Sequence, residues 1–169
     1  MRLSMRRATE TRGPGGNATL GFRASASPWL VSVAVVVWGF ALGYAQGKPA
    51  PSRNVWDGVY STAQAERGAA LVSDKCSSCH GGDLSGGPGV PGLIGGEFTF
   101  LWGGQSAGAL FDLVSKTMPL DAPATLTNTQ YVDVLAAIFK ENGFPAAAAT
   151  ELPPTLQALD DILIPKTKP

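Results

Sequence analysis

Three of the scarcest side chains in this sequence stand together in Cys76-Ser77-Ser78-Cys79-His80. Two cysteines three apart, with histidine directly after them, are the residues that attach a c-type haem. The spacing has a geometric reason. The two thiols add across the two vinyl groups of one porphyrin edge, and the adjacent histidine reaches the iron from the proximal face. Composition alone produces this pattern about once in a thousand chains of this length. Other chemistries use the same residues: in an oxidising compartment the pair can be a structural disulfide or a thioredoxin-like redox couple. A redox couple of that kind belongs on a βαβ scaffold, whereas the run from Gly81 to Gly89 that follows here is a glycine-rich loop, incompatible with an immediate long helix. Zinc would need a fourth ligand, for which only carboxylates remain. Covalent haem is therefore the favoured chemistry, with Cys76 and Cys79 as the thioether residues and His80 as an axial iron ligand.

The rest of the 169-residue chain offers little else to bind a metal: one His, two Cys and three Met in all. That inventory excludes a poly-histidine centre, a disulfide-dense scaffold and a four-cysteine zinc site. Met1 and Met5 lie in an N-terminal leader, which leaves Met118, in Thr117-Met118-Pro119. A lone methionine is usually core filler, because its flexible side chain fits irregular gaps. Here proline restricts the backbone beside it, and a thioether is a soft, neutral ligand that favours ferrous iron and raises the reduction potential. Met118 is the expected second axial ligand.

Helices must position these groups. Ser61-Thr62-Ala63-Gln64 has the form of a capping box and predicts a helix running to about Asp74, which delivers Cys76 at its end. Gly68 inside it implies close approach of another backbone. Residues 81–96 read as loop, and Glu97 to Trp102 as an aromatic cluster of uncertain secondary structure. Phe98 and Trp102 in that cluster are expected in the core, a haem wall being one form of core. A second helix is expected over Ser106 to Lys116. A third follows the capping box Thr127-Asn128-Thr129-Gln130, with Tyr131, Val134, Leu135, Ile138 and Phe139 on one stripe, and ends at Gly143 and Pro145. No strand or internal repeat emerges.

The N-terminus is a different object. Arg2, Arg6, Arg7, Arg12 and Arg23 precede the 14-residue apolar stretch Trp29 to Leu42, which closes on Gly43-Tyr44-Ala45. This is the anatomy of a secretory signal peptide over residues 1–45, with an uncleaved membrane anchor as the alternative. The stretch is shorter than the about 20 residues a span requires. From Gln46 onward the chain carries 8 Lys/Arg and 12 Asp/Glu, a formal balance of −4. With no basic cluster outside the leader, nucleic-acid binding is not expected. Residues 46–54 read as a flexible lead-in and 55–145 as one domain. Residues 146–169 read as an extension docked through Leu156, Leu159, Ile162 and Leu163.

The order of short helix, Cys76-Ser77-Ser78-Cys79-His80-Gly81, glycine-rich loop, Met118-Pro119 and final amphipathic helix resembles the class I c-type cytochromes, in particular the small exported bacterial monohaem members. The resemblance covers roughly Val55 to Pro145. It implies an all-α cytochrome c fold of three to four short helices wrapped around one covalently attached haem. It also implies a crossing of the first and last helices at a glycine near an aromatic, here Gly68 with Tyr131 or Phe139. A further implication is that the Pro91 carbonyl accepts the proximal histidine N–H, a bond that orients the ring. Val72 stands where the family often has an aromatic, and the lysine-rich face of the mitochondrial branch is missing.

With His80 and Met118 both on iron, the metal has no open position, and its chemistry reduces to gaining and losing one electron. The expected function is that of a periplasmic single-electron carrier and not an enzyme. The resemblance implies a quinoprotein or other periplasmic dehydrogenase, or the cytochrome bc1 complex, as donor, and a terminal oxidase as acceptor. The alternative is a haem-based catalyst or gas sensor with a labile sixth ligand.

Overall fold

In a computed structural model the described residues are 50–168, and the leader lies outside them. The fold is all-α. In chain order it contains α1 (Thr62–Lys75), α2 (Ser77–His80), α3 (Gly95–Trp102), α4 (Ala107–Thr117), α5 (Asn128–Glu141) and α6 (Leu156–Leu159). Among the described residues no helix is long and apolar enough to cross a membrane.

The caps place the three main helices within a residue or two of where the sequence puts them. Ser61 accepts the Gln64 N–H at 3.0 Å to open α1, and Ser106 accepts the Ala109 N–H at 3.1 Å to open α4. At α5 both halves of the box form: Thr127 accepts the Gln130 N–H at 3.3 Å, and the Gln130 side chain accepts the Thr127 N–H at 2.9 Å. The box expected at α1 is only half made. The Gln64 amide turns inward, donating to the Leu152 carbonyl at 3.2 Å and accepting its N–H at 2.8 Å. A buried amide that satisfies a main-chain pair outweighs one exposed capping bond.

The core is built on the crossing of α1 and α5. A Cβ on Gly68 would fall on the carbonyl oxygen of Asp133 and lie 3.1 Å from the Ala137 methyl. Only glycine lets the two backbones come this close. The crossing of the first and last helices at Gly68 is present as the resemblance implies, and the atoms that crowd the glycine most closely are main chain and a methyl group. Beside it the Arg67 guanidinium grips the Asp133 carboxylate with two bonds of 3.0 Å and reaches on to Glu151 at 3.1 Å. These two carboxylates raise the Arg67 pKa above its ordinary value. The stripe expected on α5 is present, yet every residue from Tyr131 to Phe139 is buried. A helix covered all round is an interior element. Small Ala136 and Ala137 let neighbours approach on the faces the stripe leaves open.

Two regions differ from the sequence reading. Arg53–Asn54, assigned to the flexible lead-in, forms β1, which pairs in parallel with β2 (Ile162–Leu163) in the register Arg53↔Ile162. A ladder of two residues per strand is too short to leave an alternating pattern. Beyond residue 145 the buried side chains are Leu152, Leu159, Ile162 and Ile164, while Leu156 is exposed and Leu163 half-buried. The helical register expected from Leu156 onward ends after one turn, and the extended chain that follows buries different positions.

Candidate cofactor site

The first helix ends where the chemistry begins. The Cys76 N–H still donates to the Val72 carbonyl at 2.9 Å, and the Cys76 carbonyl then accepts from Cys79 and His80 at 3.1 and 2.9 Å. Cys76 is thus the C-cap of α1 and the N-cap of α2, so the whole motif lies in one tight helical turn. Both thiols are free, Cys76 half-buried and Cys79 exposed. Burial, and then the neighbouring Cys79, push the Cys76 thiol pKa up.

After His80 the chain reverses. Gly81 takes φ +83°, the Gly86 N–H donates back to the His80 carbonyl at 2.8 Å, and Leu93 N–H to Leu84 carbonyl at 2.8 Å closes the loop. Gly86, at φ +80°, is needed twice over, since a Cβ there would lie 2.6 Å from both the Val90 oxygen and the Gly92 nitrogen. The reversal brings Pro91 to the histidine, with His80 Nδ1 2.9 Å from the Pro91 carbonyl oxygen. A carbonyl can only accept, so Nδ1 carries the proton and Nε2 keeps its lone pair. His80 is buried as a residue, and its Nε2, which has no hydrogen-bond partner among the described residues, still reaches solvent.

Asn142, which no local pattern marks, ties this loop to the end of α5. Its side-chain amide donates to the Leu93 carbonyl at 2.9 Å and to the Ile138 carbonyl at 2.8 Å, and it accepts the Gly95 N–H at 2.9 Å.

Met118 is placed by a separate route. It follows α4 in an extended conformation, its N–H still donating to the Val114 carbonyl at 2.9 Å. Its carbonyl accepts the Tyr131 hydroxyl at 2.7 Å, and a cis peptide joins it to buried Pro119. The Tyr131 ring is buried and stands edge-on to Phe111, with centroids 6.5 Å apart. Sequence reasoning put Tyr131 on the core stripe and missed its hydroxyl, because a bond from a helix side chain to the main chain of the preceding loop leaves no pattern in the residues.

The aromatic cluster is helix α3, which the sequence left between loop and core. Phe98 is fully buried, 6.4 Å from the rings of both Phe139 and Phe144, and Phe144 in turn stands 4.9 Å from Trp56. Trp102 is half-buried against the same core, while Phe100 points outward at 85% exposure. Trp56 and Phe144 complete this aromatic core, and the sequence reading passed over both.

The donor set suits a haem better than a bare ion. Among the described residues no three His, Cys, Asp or Glu side chains are grouped so as to hold a metal ion, so Cys76, Cys79 and His80 do not converge as zinc ligands must. A porphyrin asks for the opposite: thiols spread along one edge, and an imidazole whose Nε2 is free while Nδ1 is held. Cys76, Cys79 and His80, gathered in one turn, are the residues that would hold it, while Met118 stands in a separate segment after α4.

No protein-family model matches the chain. No curated protein does either. Among solved structures the chain is similar to the sulfane dehydrogenase SoxCD from Paracoccus pantotrophus. The two share 21% identity over 72% of this chain and 68% of that one, with a TM-score of 0.44. A likeness this distant carries neither fold nor chemistry from one protein to the other.

Proposed function

We propose that this chain is an exported, periplasmic single-electron carrier of the c-type cytochrome kind. Cys76 and Cys79 would hold one haem c covalently, and His80 and Met118 would ligate its iron. The observation that carries the reading is the state of His80. It ends a C-x-x-C-H turn, with Nδ1 committed to the Pro91 carbonyl and Nε2 free of any protein partner and open to solvent. A ligating imidazole needs this arrangement, because the second-shell bond fixes tautomer and ring orientation.

A haem held there would supply a one-electron couple, and with His80 and Met118 both bound to it would leave no open position for oxygen, peroxide or substrate. The chain's own residues do the rest. The two cysteines tether the cofactor outside the cytoplasm. Pro91 orients the imidazole, and the Met118 thioether biases the couple toward the reduced state. The chain is a carrier and not itself an enzyme. Its donor is a quinoprotein or other periplasmic dehydrogenase, or the cytochrome bc1 complex, and its acceptor a terminal oxidase. The membrane is involved only if the leader stays uncut.

The test is carbon monoxide added to the reduced, matured protein. The wild-type spectrum should stay unchanged, whereas Met118→Ala should bind the gas and show a markedly lower reduction potential. Rapid binding to the wild type would overturn the saturated carrier and favour a haem-based catalyst or gas sensor.

A further inference from the structure

Met118 has a thioether and no other functional group in its side chain, so no hydrogen bond to that side chain comparable to the His80–Pro91 bond can aim it. Its position must come from packing and from its main chain, and for the main chain the structure is specific. The N–H belongs to the last turn of α4, through the Val114 carbonyl at 2.9 Å. The carbonyl is taken by the Tyr131 hydroxyl at 2.7 Å. Tyr131 lies in the first turn of α5, 2% exposed, with its ring packed perpendicular to that of Phe111. The bond therefore joins the segment after α4 to the interior helix on which the core is built.

We propose that Tyr131 is the positioning residue for Met118: its hydroxyl clamps the Met118 main chain against α5 and so presents the thioether to the iron. The proposal rests on the haem reading above. Tyr131→Phe keeps the ring and its packing and deletes only the clamp, which leaves a main-chain carbonyl unpaired. Loss of one such bond should weaken thioether ligation about five- to tenfold.

Three measurements on Tyr131→Phe test this, with far-ultraviolet circular dichroism to establish that the helices are intact. In the haem-loaded ferric protein, the weak far-red thioether-to-iron band should fade at milder denaturant or lower alkalinity than in the wild type. In the reduced protein, carbon monoxide should enter about five- to tenfold faster than in the wild type. In the haem-free chain, amide exchange should rise over residues 118–122 and stay unchanged in α1. Phe111→Leu, which keeps the hydroxyl but removes the ring packed perpendicular to Tyr131, should shift all three readouts the same way by less. It also serves as the test if Tyr131→Phe does not fold. A folded Tyr131→Phe with wild-type band, wild-type gas entry and wild-type exchange overturns the clamp and leaves the carrier reading standing. A wild-type protein that lacks the band and takes up carbon monoxide freely overturns the carrier reading, and the clamp with it.

Discussion

The two limbs that carry the candidate ligands are held in opposite ways. His80 is oriented through its side chain, by one bond to a carbonyl only 11 residues on, inside a loop whose own bonds close locally. Met118 is oriented through its main chain, by a tyrosine on another helix. The difference follows from the ligands. Imidazole has a second nitrogen by which it can be gripped, and a thioether does not. A neutral sulfur ligand has to be aimed by the backbone that bears it, so its placement depends on tertiary packing. The histidine limb should therefore tolerate damage elsewhere better than the methionine limb does.

Breaking the scaffold common to both limbs should have the largest effect. Gly68→Ala gains about 1 kcal/mol of helix propensity. Its Cβ nonetheless falls on the Asp133 carbonyl, and separating α1 from α5 to relieve the overlap costs about 3 kcal/mol or more. Denaturant titration should find the variant severely destabilised or unfolded. Gly86→Ala attacks the histidine limb alone. The residue holds φ +80°, and its Cβ would meet the Val90 oxygen, so we expect a loss of about 2–3 kcal/mol. Haem attachment should fall as Pro91 is displaced from His80, and α5 should keep its slow amide exchange. Asn142→Ala loosens the same loop more gently, by about 1–2 kcal/mol in thermal unfolding, because three bonds are lost but water can replace part of them. The smallest effect separates the two thiols. In the haem-free, reduced chain Cys79 should alkylate first. Cys76 is half-buried and its pKa is raised, so less of it is thiolate at mildly alkaline pH, and its lag should shrink as pH rises further. Equal rates for the two cysteines would mean that the turn is open in solution.

How legible the molecule is in its sequence divides along the same line. Cys76, Cys79 and His80 lie within five consecutive residues, so the motif can be read directly from the sequence. The starts of α1 and α5 are legible because Ser61 and Thr127 are local caps. Tyr131 on Met118, Asn142 on Leu93 and Gln64 on Leu152 are not, since each is a bond between distant segments and leaves no periodicity behind. Helix α3 was ambiguous for a different reason. Gly95-Gly96 is a poor helix start, and Glu97 to Trp102 alternates in a way that suits a strand as well as a helix, until burial of Phe98 against Phe139 decides it. In the C-terminal segment, register was the difficulty, with the buried set moving from Leu156 to Leu152 and Ile164.

The central claim is that this chain holds one haem covalently at Cys76 and Cys79. Intact and peptide mass spectrometry of the protein, produced in a host that matures c-type haem, tests it most directly. The account predicts a mass increment of one haem, carried by the peptide that contains both cysteines and absent from Cys76→Ser/Cys79→Ser. A chain whose cysteines remain as thiols or a disulfide, in cells that load a control c-type cytochrome fully, would contradict it.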